Sequence, residues 1–530
     1  MAETVVGEKG MVTAPHRAAA EVGAEVLRAG GNAVEAMIAM AAAIAVVYPH
    51  MTGIGGDAFW IVAEPGRPPK GIDGAGRAAA AATIAAYAAK GHDTVPHRGP
   101  DAALTVAGAV GTWELAHEIA SAVGGRMPRK DLLAGAVALA RDGIPVTASF
   151  AELATENLEA LSAAPGFVAH YLVDGKVPPV GTRLPAERLA DTLDQIARAG
   201  YADFYRGDIA SEIAADLAAA GSAVSRADLA AQRASLVTPL SVAIDGATIF
   251  NMPPPTQGVA SLLILGLFDR LGVRRAESFE HVHGLIEATK RAWVVRDAAV
   301  ADPLLSGDLE PYLAPSWLDA QAAAIDMRRA APYPPGDPKG DTVWMGAIDG
   351  AGRAVSMIQS IYFEFGSGVV LPRTGMVWQN RGVGFSLDPR SHRALAPGRK
   401  PFHTLNPPLA RFADGRTLTY GSMGGDGQPQ FQAAIFTRHA LFGVEPGEAI
   451  DRPRWRWGPT WGGGDASAVE VENRFDPDLI SALERAGHHV VVLDRPYANA
   501  MGHAGMVLHR PDGRFLGASD PRSDGAAVAA

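Results

Sequence analysis

The chain has 530 residues, of which 48% are hydrophobic and 20% charged, and its formal net charge at pH 7 is −10. This is the composition of a globular protein with a large core, and an acidic chain without a basic cluster argues against binding to nucleic acid or to an anionic membrane. Cysteine is absent, which excludes disulfides, thiolate catalysis and cysteine-ligated metals. Length alone predicts two or three domains.

The first predicted elements are two helices. Residues 16–29 are alanine-rich with helical spacing, and Gly30-Gly31 ends that helix. Asn32 can cap the next helix. Its apolar run before Pro49 is shorter than the ~20 residues that a membrane span needs. The N-terminus shows no charged region followed by an apolar one, so no signal peptide is visible. We therefore expect a buried helix, no membrane association and a cytoplasmic location.

The segments that follow alternate glycine turns with helices. GIGGDAF at 53–59 lacks the Lys-Ser/Thr of a phosphate loop, and we interpret it as a structural turn entering a strand. Residues 112–222 are predicted to be mostly helical. The prolines at 253–255 exclude a helix interior or a central strand, and helices are predicted over 259–271 and 279–300.

A linker at 331–341, rich in proline, glycine and charge, is the best boundary in the chain. After it, TVWMGAID and RAVSMIQSIY alternate apolar with small or polar residues, as half-buried strands do, and DGAG between them predicts a hairpin turn. Further strands are expected in TGMVWQN, TLTYGSMGG, HVVVLDR and AGMVLHRPDGRFLGAS. The mixture predicts an α+β or layered α/β fold.

Thr342 opens the first strand after this linker. Such a threonine is usually a β-branched strand residue. At a chain N-terminus, however, its hydroxyl becomes a nucleophile because its own α-amine can take the proton. That hypothesis requires a cut between Asp341 and Thr342, in a segment exposed enough to be cut. Across a three-residue hairpin loop Thr342 would face Ser360, and across a four-residue loop it would face Gln359.

Two further features have a functional and an ordinary interpretation. Gly424 and Gly425 can present two backbone N–H groups as an oxyanion hole, or can simply form a sharp turn. Arg77 follows a glycine turn and can bind a carboxylate through two parallel hydrogen bonds, although most arginines lie on the surface.

The histidines do not predict a metal site. His281 and His283 lie two apart in a helical pattern, where side chains diverge, and no HExxH motif accompanies them. His50 and His403 lie near glycine- or proline-rich turns, where a core or turn role is the default. A pocket role stays open for His403.

Taken together, these segments resemble the γ-glutamyltranspeptidase family of self-cleaving N-terminal-nucleophile hydrolases. The resemblance covers nearly the whole chain, in order, through MVTAPHRAAAEVGAEVLRAGGNAVEAMIAM, YPHMTGIGGDAF, MPPPTQG, FGSGVVLPRTGMVWQN, GSMGG and GASDPRS. It implies a proenzyme cut before Thr342 into a large subunit, 1–341, and a small subunit, 342–530. It also implies an α+β four-layer αββα sandwich in which the two intertwined pieces share one active site. One intertwined fold thus replaces the expectation of separate domains.

The resemblance implies roles for four residues. Thr342 matches the nucleophile, Ser360 stands where the family has a second, supporting threonine, and Gly424 and Gly425 match the oxyanion hole. The implied reaction is a two-step acyl transfer on a small-molecule amide, without a cofactor or metal. The two fragments are expected to stay associated, and a dimer of the processed pair is compatible with this organisation.

Departures from the family pattern concern substrate binding. Tyr362 and Gly384 stand where the family holds the α-amino group of glutamate with Asn and Asp. His403 and Thr404 stand in place of a serine pair.

The family's carboxylate-binding arginine aligns with Ala75, but Arg77 lies two residues further on, and Arg381 is a second candidate cation. An acyl group that has a carboxylate but no α-amine fits these changes. The pattern is similar to the divergent branch that includes oxamate amidohydrolase and the cephalosporin (glutaryl) acylases. We expect amide hydrolysis, with true γ-glutamyl transfer or glutathione hydrolysis as the alternative. The non-enzyme alternative is an uncleaved small-molecule binder.

Overall fold

The computed structural model describes residues 2–332, 342–458 and 467–530. Most of the predicted linker, including Asp341, lies outside the described residues. Two seven-stranded sheets, antiparallel between all neighbours, form the centre of the molecule.

The first sheet carries the hairpin that follows the linker. Asp349 N donates to Arg353 O, and Gly352 has a φ of +76°, so the loop has three residues. The Asp349 carboxylate accepts from the amides of Ala351 in the loop and Arg353 after it, which is how aspartate fixes a turn. In spatial order the strands of this sheet are Ala526–Ala529, Gly10–Ala14, Val343–Asp349, Ala354–Ser360, Asp57–Ala63, Lys70–Asp73 and Ser235–Val237.

The second sheet packs face to face on the first. The two sheets can approach closely where Gly421 and Gly505 face the indole of Trp344. A Cβ atom would lie only 2.3 Å from that indole at Gly421 and 2.7 Å from it at Gly505. The strands of this sheet, in spatial order, are Val5–Gly7, Phe515–Ser519, Ala504–His509, Thr417–Ser422, Leu409–Phe412, Ala247–Asn251 and Leu240–Ile244.

A helical layer formed by residues before the linker covers the outer face of the first sheet. Its central helix, Ala33–Val47, is buried along its whole length, and Asn32 caps it as predicted. The cap is a capping box, in which Glu35 bonds back to the Asn32 backbone. The helices of this layer are Arg17–Arg28, Ala33–Val47, Ile84–Ala89, Ala109–Ala122, Arg129–Asp142, Ala148–Glu156, Leu158–Ser162, Phe167–Tyr171, Glu187–Ala199, Asp203–Arg206, Asp208–Ala220 and Arg226–Ala231.

A second helical layer covers the other sheet and draws on both sides of the linker. Apolar side chains of Gly258–Arg270 and Phe279–Ala299 pack there against strand residues such as Ile249 and Leu418. The layer comprises Gly258–Arg270, Phe279–Ala299, Glu310–Leu313, Pro315–Ala323, Gln428–Phe436, Pro446–Asp451 and Pro477–Arg485. None of the helices in the described part of the chain combines the length and apolar character of a membrane span.

Short elements complete the fold. They are the strand pairs Val370–Leu371 with Met376–Val377 and Ile144–Pro145 with Arg183–Leu184, the three-stranded sheet Trp455–Trp457, Ala468–Val471 and His489–Val492, the 3₁₀ turns Arg381–Gly384, Gly425–Gly427 and Asn499–Met501, and the π-helical turn Thr437–Leu441.

Three apolar cores separate the four layers: one beneath each helical layer and one between the sheets. The predicted αββα sandwich is therefore confirmed. Strand Val343–Asp349 lies between Gly10–Ala14 and Ala354–Ser360, so the chain after the linker completes a sheet begun before it. The segments on the two sides of the linker form one intertwined fold.

Candidate active site

Thr342 lies directly before a central strand of the first sheet and is fully buried. Val343 pairs with Gln359, so that Thr342 and Ser360 are the next facing positions. Of the two alternatives that the sequence left open, the register selects the three-residue loop and places Ser360 opposite Thr342. The Ser360 Oγ accepts a hydrogen bond of 2.8 Å from the backbone amide of Tyr362, which fixes that hydroxyl at the end of its strand.

Asp57 occupies the other side of Ser360, with which it pairs in the neighbouring strand. Its Oδ1 accepts from the Gly108 amide and from Gln379 Nε2, each at 3.0 Å. Burial raises the pKa of Asp57 to about 7, since the charged form loses its hydration. Sequence reasoning missed this residue by treating GIGGDAF as a structural turn. The available signal was an acidic side chain at the entrance of an otherwise apolar strand.

His403 forms a buried pair with Asp57, their Nε2 and Oδ2 atoms lying 2.9 Å apart. Burial, followed by the nearby Arg381, holds the pKa of His403 well below its usual value, so the imidazole is neutral near pH 7. Its Nδ1 has no hydrogen-bond partner among the described residues. The Phe59 ring packs against the imidazole in a T-shaped arrangement, with centroids 4.7 Å apart. The pair can thus hold one proton on the side of Ser360 away from the predicted nucleophile.

Arg381 is a buried cation at the start of a 3₁₀ turn, with 1% of its surface exposed. Its Nη1 donates to Thr404 Oγ1 at 3.1 Å. The guanidinium carbon lies 3.3 Å from the centroid of the Tyr362 ring, in a stacked position. Its Nε and Nη2 lack hydrogen-bond partners in the described parts of the chain. A buried guanidinium with two unused donors is costly, and a carboxylate would satisfy it.

Gly384 lies directly against this unused edge of Arg381. A Cβ at Gly384 would lie 3.2 Å from Arg381 Nη2 and 2.6 Å from Phe402 O. Gly384 stands where the family has an acidic residue. This position is therefore next to the Arg381 cation and too crowded for a side chain. Tyr362 has a φ of +85°, a strained conformation that occurs frequently at functional sites.

Arg77, the other predicted cation, is exposed and donates from Nη1 to Gly398 O at 2.9 Å. The structure therefore places only Arg381, of these two arginines, in the buried cluster with Thr404 and Tyr362.

The Gly424-Gly425 pair follows a central strand of the second sheet. Both residues have positive φ, +120° and +52°, which favours glycine and lets successive N–H groups point to one side. A Cβ at Gly424 would lie 2.6 Å from the Phe431 ring.

Gln257 holds this glycine loop in place. Its Nε2 donates to Gly425 O and to Thr404 O, both at 2.9 Å. Arg296 Nη1 in turn donates to Gln257 Oε1 and to Asp426 Oδ1. One buried amide thus connects the predicted oxyanion loop with the residue that binds Arg381. Sequence reasoning used MPPPTQG for the resemblance but gave Gln257 no role.

A separate group of potential metal ligands lies away from these residues. In the described ranges, ligand atoms of His283, Glu287 and His488 lie within 4.8 Å of one another. The two histidines already contact each other at 2.8 Å, and Glu287 is paired with Lys290 at 2.7 Å. His281 turns elsewhere, to Thr437, as its spacing from His283 predicted. A cation would have to displace Lys290, so this geometry does not define a metal centre.

The molecule has two antiparallel sheets between helical layers, and Thr342 faces Ser360 at the head of a central strand. This arrangement defines the class of N-terminal-nucleophile hydrolases. The family model described as gamma-glutamyltranspeptidase matches residues 19–530, and the chain belongs to the γ-glutamyltranspeptidase family. The family and the fold predicted from sequence are both confirmed.

Several full-length relatives fall in the branch suggested by the sequence. The chain is 50% identical over 525 residues to the oxamate amidohydrolase proenzyme of Klebsiella pneumoniae, with 99% of each chain covered. It is 38% identical to a glutathione hydrolase-like proenzyme of Bacillus subtilis, with 100% of both covered. The crystal structure of cephalosporin acylase from Bacillus halodurans superimposes with a TM-score of 0.91 at 34% identity, covering 100% of this chain and 97% of that one.

Proposed function

We propose that this protein is a self-processing amidohydrolase that cleaves an amide whose acyl part carries a carboxylate, through a threonine acyl-enzyme. The observation that carries the proposal is the buried Arg381 guanidinium, whose Nε and Nη2 are unused in the described residues. The names of the relatives support the same chemistry, since they include an oxamate amidohydrolase and a cephalosporin acylase.

Maturation would begin at the bond between Asp341 and Thr342. Attack of the Thr342 hydroxyl on the Asp341 carbonyl, and hydrolysis of the resulting ester by water, leaves a carboxylate on Asp341 and a free α-amine on Thr342. The products are a large subunit, 1–341, and a small subunit, 342–530. The α-amine supplies the base that a threonine nucleophile needs.

The catalytic cycle then uses residues from both sheets. Thr342 Oγ attacks the substrate carbonyl while the α-amine accepts the proton, and the amides of Gly424 and Gly425 stabilise the oxyanion. The proton passes to the leaving amine, and water resolves the acyl-enzyme. Ser360, opposite Thr342, would orient the nucleophile, and the Asp57–His403 pair would hold a proton on the other side of Ser360.

Substrate recognition would depend on Arg381 and its surroundings. A carboxylate can accept two parallel hydrogen bonds from Nε and Nη2, the arrangement that guanidinium groups favour. Thr404 and Tyr362 hold the guanidinium plane from one edge and one face. An α-ammonium group placed at Gly384 would instead meet a like charge. The solvent-facing Arg77 is the alternative carboxylate ligand.

True γ-glutamyl transfer or glutathione hydrolysis is the second candidate, favoured by the glutathione hydrolase-like relative. A matched pair of substrates separates the two. Glutaryl p-nitroanilide and γ-glutamyl p-nitroanilide differ only by the α-amino group, and oxamate serves as a short carboxylate amide. We expect the glutaryl compound or oxamate to have the higher kcat/KM. Faster turnover of the γ-glutamyl compound would overturn the substrate assignment.

The processed pair is proposed to remain together, to form a dimer and to reside in the cytoplasm. Size-exclusion chromatography with light scattering tests the assembly, and cell fractionation tests the location. One intact band on a denaturing gel of purified, inactive protein would instead favour the uncleaved small-molecule binder.

A further inference from the structure

A cavity of about 760 Å³ opens beside the candidate active site. Its wall includes Phe363 and Glu364, which follow the strand that ends at Ser360. Three residues of chain span at most about 11 Å, so Phe363 lies within that distance of the residue facing Thr342. The cavity is therefore within reach of a substrate whose carbonyl is held at the nucleophile.

Aromatic stacking joins the cavity wall to the predicted carboxylate ligand. The ring of Phe363 stacks on that of Tyr362, with centroids 4.6 Å apart and planes 15° from parallel, and Tyr362 stacks on Arg381. Asn380 braces this wall, since it accepts from the Phe363 amide at 3.0 Å and donates to His97 O at 2.8 Å. The stacked Tyr362 and Phe363 rings thus connect Arg381 with the cavity wall.

Two of the arginines in the cavity wall are already neutralised. Arg98 donates to the backbone carbonyl of Glu364 and pairs with its Oε2 at 3.3 Å. Arg495 pairs with Glu152.

One buried polar atom in the same wall lacks a hydrogen-bond partner among the described residues, and it is an acceptor. Glu364 is 2% exposed, yet its Oε1 has no hydrogen-bond partner in the described ranges. Glu156, whose side chain is exposed, also lines the cavity, and partial desolvation together with the neighbouring Glu152 raises its pKa. A buried acceptor without a donor is unfavourable, so the wall is suited to a ligand that donates hydrogen bonds or carries positive charge.

We propose that this cavity binds the amine part of the substrate, and that the preferred substrate carries a cationic group on its amine side as well as a carboxylate on its acyl side. The inference depends on the proposed amidohydrolase function. Arg381 would hold the anionic end, and Thr342 would attack the amide between the two ends. Glu156 would pair with the ammonium group, and Glu364 Oε1, the oxygen that Arg98 does not use, would accept a hydrogen bond from it. Such a substrate is larger than an unsubstituted primary amide, whose leaving group is ammonia.

Three amides with the same acyl group test the inference on the matured enzyme: oxamate, N-butyl oxamate and N-(4-aminobutyl) oxamate. The two substituted compounds share the same four-carbon chain and differ by the terminal ammonium group of the second. We expect kcat/KM for the aminobutyl compound to exceed that for the butyl compound by about fivefold, the size of one partly exposed ion pair. In Glu156→Gln this ratio should fall toward one. Glu159→Gln, an exposed residue outside the cavity wall, should keep the wild-type ratio.

Inhibition of the wild type provides a second measurement that needs no variant. 1,4-Diaminobutane should inhibit oxamate hydrolysis at lower concentration than butylamine. If oxamate is hydrolysed but the two substituted amides have equal kcat/KM, and the two amines inhibit equally, the cavity assignment is wrong while the amidohydrolase function stands. If none of the carboxylate-bearing amides is hydrolysed by fully cleaved protein, the proposed function itself fails.

Discussion

Arg381 and Tyr362 are stacked, with the guanidinium carbon 3.3 Å from the centroid of the phenol ring. Because Nη1 is also fixed on Thr404 Oγ1, the plane of the guanidinium is set before any substrate binds. Its remaining edge, Nε and Nη2, lies next to Gly384. A preorganised planar fork binds a carboxylate with less loss of side-chain freedom than a flexible lysine would.

Arg381→Lys should therefore weaken binding of the acyl carboxylate although it keeps the positive charge. Hydrogen bonds between charged groups contribute about 1.5–3 kcal/mol, so we expect KM for oxamate to rise roughly 10- to 100-fold. Arg77→Lys is the matched variant at the other predicted ligand, and it should change KM less than about twofold because that side chain faces solvent. Steady-state kinetics on both variants decides between the two arginines. A larger KM effect at Arg77 would exchange their roles.

Thr342→Ala should abolish both cleavage of the chain and amide hydrolysis, because the same hydroxyl serves as nucleophile in the two reactions. Denaturing electrophoresis and mass spectrometry should show one polypeptide of 55.1 kDa. Thr342→Ser keeps the hydroxyl and should still mature into two fragments, at a changed rate. Two fragments with a new N-terminus at residue 342 in the alanine variant would show that another group cuts the chain.

The hairpin illustrates what the sequence can determine. Turn residues and strand alternation between Asp349 and Arg353 restricted the register to two choices, and both placed a polar side chain opposite Thr342. The capping of helix Ala33–Val47 by Asn32 was likewise predictable, since its partner Glu35 is three residues away. These features depend on neighbours in the chain, whose spacing is visible in the sequence.

The Asp57–His403 pair illustrates what the sequence could not determine. The two residues are 346 positions apart and meet only because separate segments converge beside the same strand. Burial was equally invisible, so Arg77 and Arg381 seemed equivalent although only the second is enclosed. Gln257 connects Gly425 with Thr404 through hydrogen bonds that no periodic pattern encodes.

Gln257→Met should lower kcat more than it changes KM for oxamate. Methionine has a similar volume but cannot donate to Gly425 O and Thr404 O, so the predicted oxyanion loop loses one of its supports while Arg381 remains. A displaced donor weakens stabilisation of the transition state, and we expect kcat to fall about tenfold with KM within about threefold. Gln195→Met is the control for loss of a side-chain amide. Gln195 lies in helix Glu187–Ala199 of the helical layer on the first sheet, where it donates to Asp203. An unchanged kcat in Gln257→Met would remove this positioning role.

Asp57 predicts a specific dependence of stability on pH. Its pKa is raised from 3.8 to about 7 in the folded chain, chiefly by burial. Between these values the folded chain keeps a proton that the unfolded chain has lost. The stabilising contribution is complete below pH 3.8 and is lost as pH rises through about 7, because stability falls with pH wherever the folded state binds more protons.

The contribution of Asp57 should therefore make the melting temperature of the uncut Thr342→Ala chain decline between pH 5 and pH 7. This contribution should level off above pH 8. Adding Asp57→Asn replaces the acid by a neutral side chain of the same shape, which should make the decline shallower. Each proton held only by the folded chain changes the free energy of unfolding by up to about 1.4 kcal/mol per pH unit.

The difference in melting temperature between the two chains isolates Asp57 from other buried acids, such as Glu364, whose pKa is also raised by burial. A difference that stays constant from pH 5 to pH 8 would mean that Asp57 does not titrate in this range, and the pair with His403 could not then act as a proton store at neutral pH.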